Sequence, residues 1–152
     1  MDSVLQRIRK IAWTYADYDP AGCAQIESRL AATARAGQLI TYADLVRDVT
    51  FTLPNVRESP LRLGVPEWTD LHRSILGDVL GRVSCATYEK GGILASAVAI
   101  RATTSEPGEG FYALVRELGL FNGTRASNAF LEFWANEVSK AQAWYATQRG
   151  AT

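Results

Sequence analysis

Apolar residues return at three- and four-residue steps in five stretches of this chain, the spacing that turns one face of a helix toward a core. Val4, Ile8, Ile11 and Tyr15 give a first stripe and predict a helix over residues 3–16. Asp19 followed by Pro20 predicts a second start, with an acceptor at the cap and a proline where no N–H is missed. That helix runs to about Ala36 with Cys23, Ile26, Leu30 and Ala34 inward, and Gly37 stops it. Thr69 caps a long helix to about Glu89, with Leu71, Ile75, Leu76, Val79, Leu80 and Val83 on one side. Phe111, Leu114, Val115 and Leu118 build a short one ended by Gly119. Ser127 or Asn128 starts the last, to about Gln148, with Phe130, Trp134, Val138, Ala141 and Tyr145 inward.

Between these stripes lie segments of another kind. Leu39–Tyr42 reads as a short strand, after which Thr41 caps a helix over residues 42–49. Residues 50–67 contain Pro54, Pro60 and Pro66 and show no clear period, so they read as a long loop. Ile93–Arg101 is an apolar run suited to a strand buried on both faces. Within the long helix, Ser74, Gly77, Gly81 and Ser84 form a run of small residues against which another backbone can lie close. The expected architecture is α+β and mostly α: a single domain, 1–152, with six helices around a small sheet pairing 39–42 with 93–101.

Composition narrows the function classes. The chain has 152 residues, 47% apolar and 21% charged, as an ordinary globular domain does. Sixteen basic residues balance sixteen acidic ones, and no third of the sequence departs from that balance by more than one charge. This argues against strong nonspecific nucleic-acid binding. No apolar run approaches the length a membrane helix needs, and the N-terminus lacks the apolar core of a signal peptide, so a cytoplasmic protein is expected. Cys23 and Cys85 are too few for a disulfide framework or zinc site and read as reduced thiols in helices.

Candidate chemistry is sparse. Glu106-Pro107-Gly108-Glu109-Gly110 is a tight, fixed loop before the Phe111 helix. Glu106 and Glu109 offer paired carboxylates; Gly108 and Gly110 offer a backbone cradle for an anion and are expected at positive φ. The simpler role of Glu109 is to favour the helix N-terminus. His72, the single histidine, has no local partner for a general-base role and reads first as a boundary residue. Phe133 and Trp144 fall beside the inner stripe of the last helix, which points to a homodimer or a partner surface there. No metal or cofactor is expected.

Ile40-Thr41-Tyr42-Ala43-Asp44-Leu45 is similar to the Ile-Thr-Tyr-Gly-Glu-Leu entry of the DNA-binding domain in O6-alkylguanine transferases and alkyltransferase-like proteins. The resemblance covers residues 38–90. It implies a winged-helix-like centre of the kind that docks on DNA. If DNA is the partner, the polar side of the 70–89 helix offers Arg73 and Arg82 as contacts, and the 50–67 loop offers Arg57 and Arg62. The family's Pro-Cys-His-Arg nucleophile is absent, and Cys85 has no histidine beside it, so alkyl transfer is not implied. Two function classes follow. One is a non-catalytic binding module for DNA or a regulatory partner. The other is a small protein-binding inhibitor of the immunity or antitoxin type, which neutral charge favours. A metal-assisted hydrolase built on the Glu106/Glu109 pair is a distant third.

Overall fold

A computed structural model describes residues 2–148. Six α-helices are present among them: α1 Val4–Lys10, α2 Pro20–Arg35, α3 Tyr42–Val46, α4 Asp70–Gly91, α5 Glu109–Glu117 and α6 Asn128–Thr147. Two short strands, β1 Ile40–Thr41 and β2 Ala99–Ile100, pair in parallel with Ile40 opposite Ala99 and Thr41 opposite Ile100. The architecture is thus α+β and mostly helical, with the small sheet joining the two segments expected to pair. No described helix is long and apolar enough to cross a membrane.

Side-chain caps set the helix starts. Asp19 Oδ1 accepts from Gly22 N, Thr41 Oγ1 from Asp44 N, Thr69 Oγ1 from His72 N and Ser127 Oγ from Phe130 N. Gly92 ends α4 in the left-handed conformation at φ 70°. Two helices are shorter than their apolar stripes. α1 stops at Lys10 because the backbone N–H groups of Thr14, Tyr15 and Ala16 turn onto the Asp78 carboxylate of α4, at 3.1, 2.9 and 2.7 Å. α3 stops at Val46, where Arg29 of α2 gathers the carbonyls of Leu45 and Arg47 at 3.0 and 2.5 Å and Asp48 takes a positive φ.

The 93–101 run is buried throughout from Ile93 to Ile100, but most of it is not strand. Residues 95–98 form a 3-10 turn packed among α2, α4 and α6. Hydroxyls from α4 replace the ladder: Thr87 Oγ1 accepts from Ala95 N and donates to a carbonyl, and Ser84 Oγ accepts from Ser96 N at 2.9 Å. Buried backbone groups need such partners, and Ala95, Ser96 and Ala97 are small enough to let the helices supply them. On the other side Trp134 Nε1 donates to Ala97 O at 2.8 Å.

Residues 50–67 are packed. Phe51 and Leu61 exchange both backbone hydrogen bonds, and Phe51, Leu53, Val56, Leu61 and Leu63 are all buried. Asp19 ties this segment down: its second carboxylate oxygen accepts from Thr52 N at 2.8 Å. The segment separates α3 from α4, so these two helices are not joined by a short turn.

Candidate binding cleft

Where β1 runs into α3, one side of α4 and the start of α5 enclose a cleft of about 650 Å3. Its walls come from four parts of the chain. Thr41, Tyr42 and Ala43 form one, and these belong to the segment resembling the alkyltransferase-like entry. Arg73, Ser74, Gly77 and Gly81 form the α4 side. Arg101 and Thr103 follow β2, and Gly108, Glu109 and Gly110 open α5. Trp68 closes the end nearest the 50–67 segment.

The loop before α5 is fixed, as its composition predicts. Arg101 N donates to Glu106 O and Ser105 N to Arg101 O, both at 2.9 Å, and Gly108 N donates to the Tyr42 hydroxyl at 2.8 Å. Its glycines do not sit at the expected positive φ. Gly108 has φ −79° and Gly110 lies inside α5, so neither needs the left-handed region. Space does not demand glycine either, since a Cβ at each would make only ordinary contacts. A Cβ on Gly108 would stand 3.4 Å from Arg101 Nε and from the Tyr42 ring, and one on Gly110 would stand 3.7 Å from Gly77 Cα. The small residues of α4 therefore do admit a close backbone, the first turn of α5.

Gly108, the N-cap of α5, offers no side chain to the helix N–H groups, so the positive end of the helix opens into the cleft. Arg101 adds a full charge. Its guanidinium lies beside Gly108 and Tyr42 and has neither an ion pair nor a hydrogen-bond partner among the described residues. Burial raises the Tyr42 hydroxyl above the ordinary tyrosine range, against the lowering effects of the Gly108 N–H and the Arg101 charge. The phenol is therefore neutral at pH 7. Its oxygen is taken by Gly108 and its proton is available to an acceptor in the cleft.

The remaining sequence candidates separate into two groups. Arg73 lines the cleft, although it also pairs with Asp70 at 3.1 Å on the exposed surface. Arg82 does not join it. Nine residues apart on α4, the two side chains are about half a turn out of phase, and Arg82 meets Asp17 at 3.1 Å. Arg62 stands 3.6 Å from Asp48, away from the cleft, and Arg57 is exposed on the 50–67 segment. The four arginines do not form one positive face. Glu109 lines the cleft but is held at its rim by Arg125 at 3.0 Å, whereas Glu106 lies outside. The two carboxylates thus do not converge. No group of three or more metal-ligating side chains occurs among the described residues.

His72 is buried behind Trp68, and its Nδ1 accepts from Gly64 N at 3.0 Å. Its position is explained by that bond. The thiols are equally remote: burial pushes Cys23 and Cys85 up to about 11, so both are protonated and unreactive at neutral pH. Phe133 and Trp144 find cover inside the chain. Phe133 packs on Phe121 with centroids 5.3 Å apart, and Trp144 lies edge-on to Tyr145 at 4.8 Å and closely over Gly91. Both rings stay partly exposed, and Leu131 is the large apolar side chain of α6 that is most open to solvent.

Sequence reasoning missed Arg101, Trp68 and Ser96 as cleft residues, and Asp78 as the acceptor holding residues 14–16. No protein-family model, curated protein or solved structure matches this chain.

Proposed function

We propose that this protein is a non-catalytic binding module whose cleft receives an anionic group of its partner, with DNA as the partner class. Arg101 carries the reading. A half-buried guanidinium without an acceptor, set beside the open N-terminus of α5 and a neutral tyrosine hydroxyl, suits a phosphate oxygen. Arg73 supplies a second cation across the cleft. The segment that resembles the alkyltransferase-like DNA-binding entry makes one wall. Ser74, Ser96, Thr41 and Thr103 bring hydroxyls to the lining, but no histidine or cysteine stands beside them to activate a nucleophile.

The test is a titration of labelled DNA, single- and double-stranded, at about 150 mM salt. Arg101→Ala should weaken whichever form binds by about tenfold, the size of one charge-assisted hydrogen bond. Arg82→Ala should leave affinity unchanged. Equal binding by Arg101→Ala and the parent protein removes the cleft as the site.

A protein partner is favoured by a different observation. Arg62, Arg73 and Arg82 each have an aspartate neighbour, so little uncompensated positive charge covers the outside. An acidic peptide that competes with DNA for the cleft would select that reading.

A further inference from the structure

We propose that the strand bound is single-stranded, and that it runs over two adjoining hollows with Trp68 as the stacking platform between them. The inference rests on the reading of the cleft as an anion site and adds the form of the ligand.

A second hollow, about 180 Å3, adjoins the cleft. Arg47, Asp48, Arg62 and Gly64 line it, and it shares Ala43 and Trp68 with the larger one. Trp68 therefore stands between the two hollows. Its indole is fixed from behind. Gly64 lies so close that a Cβ there would stand 2.9 Å from Trp68 Cε2, and Gly64 also has φ 79°, so both contact and backbone require glycine. The His72 ring meets the indole edge-on, with centroids 6.4 Å apart at 76°. His72 is in turn held by the Gly64 N–H. Trp68 is only half-buried, and its Nε1–H has no acceptor among the described residues. A ring clamped on one side and open on another is what base stacking needs.

Cations flank this platform on both sides: Arg73 and Arg101 in the large hollow, Arg47 and Arg62 in the small one. Three of them have carboxylate neighbours, Asp70, Asp44 and Asp48. These pairs are exposed, and exposed pairs hold little energy, so a phosphate can take the arginine. Arg101 has no such competitor. An aromatic platform with phosphate-binding cations before and after it matches the alternation of base and phosphate in a strand. A duplex keeps its base faces stacked inside and offers none to Trp68. Four arginines also bound the salt dependence. At about 0.7 per phosphate, two to four contacts give a slope of log K against log salt between about −1.4 and −2.8.

The experiment is fluorescence anisotropy with labelled oligothymidylates of one, two, four and eight nucleotides, a duplex of random sequence and a polyglutamate peptide. Affinity should rise from one to four nucleotides and then level, with duplex at least tenfold weaker. Trp68→Leu keeps an apolar plug without a π face and should lose tenfold or more. Trp68→Phe should stay within about threefold, and equal melting temperatures establish that both are folded. Equal affinity for duplex and strand, or Trp68→Leu binding like Trp68→Phe, overturns the proposal. If the strand result fails while Arg101→Ala still weakens duplex binding by about tenfold, the cleft reading survives alone. If neither oligothymidylate nor duplex binds, or polyglutamate binds as tightly, both readings fall.

Discussion

Gly77 and Gly81 are one turn apart on the same helix and line the same cleft, yet their surroundings are opposite. A Cβ at Gly81 would stand 2.8 Å from Cζ3 and 3.0 Å from Cη2 of Trp13, so that glycine is a socket for an indole of the chain itself. A Cβ at Gly77 would meet nothing within 4 Å. The Trp13 side is a finished contact. The segment carrying the indole is gripped by three N–H bonds to Asp78, and Asn55 Nδ2 donates to Thr14 O at 2.8 Å. The Gly77 side is open floor beneath Arg101, Arg73 and the start of α5. A mid-helix glycine costs about 1 kcal/mol relative to alanine. At Gly81 packing returns that cost; at Gly77 the first turn of α5 passes over the Cα, but no atom occupies the place of a side chain. The comparison shows that one small-residue stripe has two surroundings, filled by Trp13 at one turn and open toward the cleft at the next.

Four substitutions break or sharpen this contrast. The largest effect is expected from Asp78→Ala, which strips three backbone N–H groups of their acceptor and frees the segment that seats Trp13. About 3 kcal/mol of stability should be lost, read by denaturant unfolding. Next comes Gly81→Ala, which forces the indole out of its socket and should cost about 1–3 kcal/mol by the same measurement. Gly77→Ala should go the other way and stabilise by up to about 1 kcal/mol, since it gains helix propensity and meets no atom. Opposite signs at two neighbouring glycines would establish the contrast; loss of stability at both would break it.

The smallest effect at neutral pH belongs to Tyr145→Phe, a reference point in the core between α2 and α6. The Tyr145 hydroxyl is buried without a partner among the described residues, so its removal should change stability by no more than about 1 kcal/mol. Its alkaline behaviour differs. Burial, with the nearby Glu27 charge, pushes the hydroxyl up to about 12, above the ordinary value of 10. The folded state therefore resists losing that proton. Stability is complete below pH 10 and declines as pH rises toward 12. Tyr145→Phe should flatten that decline in unfolding curves taken across this range. An unchanged decline would assign it to Tyr42, Cys23 and Cys85, whose protons burial also retains.

Much of the fold was legible because local chemistry and tertiary structure agree. Asp19-Pro20, Thr41, Thr69 and Ser127 cap the helices they predict, and the 39–42 and 93–101 segments pair. The segment 50–67 also carried a readable signal. Phe51 and Leu53, then Leu61 and Leu63, alternate with polar neighbours, and the first of each pair are bridge partners. Three prolines obscured it. The end of α1 was not readable, since its stripe continues to Tyr15 while Asp78, more than sixty residues away, captures the backbone.

The cleft was half legible. Its loop, its small-residue floor and Arg73 have local signatures. Arg101 and Trp68 do not. Each is an ordinary residue in sequence, and what marks it is the absence of an acceptor or the presence of an open face, which only the fold creates. Phe133 and Trp144 lie off the stripe of α6 as their spacing indicates, and contacts distant in sequence, from Phe121 and the C-terminal end of α4, cover them in part.

The most direct test of the cleft as the binding site is Gly77→Leu, titrated with the labelled eight-nucleotide oligothymidylate beside the parent protein. Leucine at this position projects into the cleft and displaces no atom within 4 Å of its Cβ. The account predicts an equal or higher melting temperature together with at least a tenfold loss of affinity. A stable Gly77→Leu protein that binds the oligonucleotide as the parent does would contradict it.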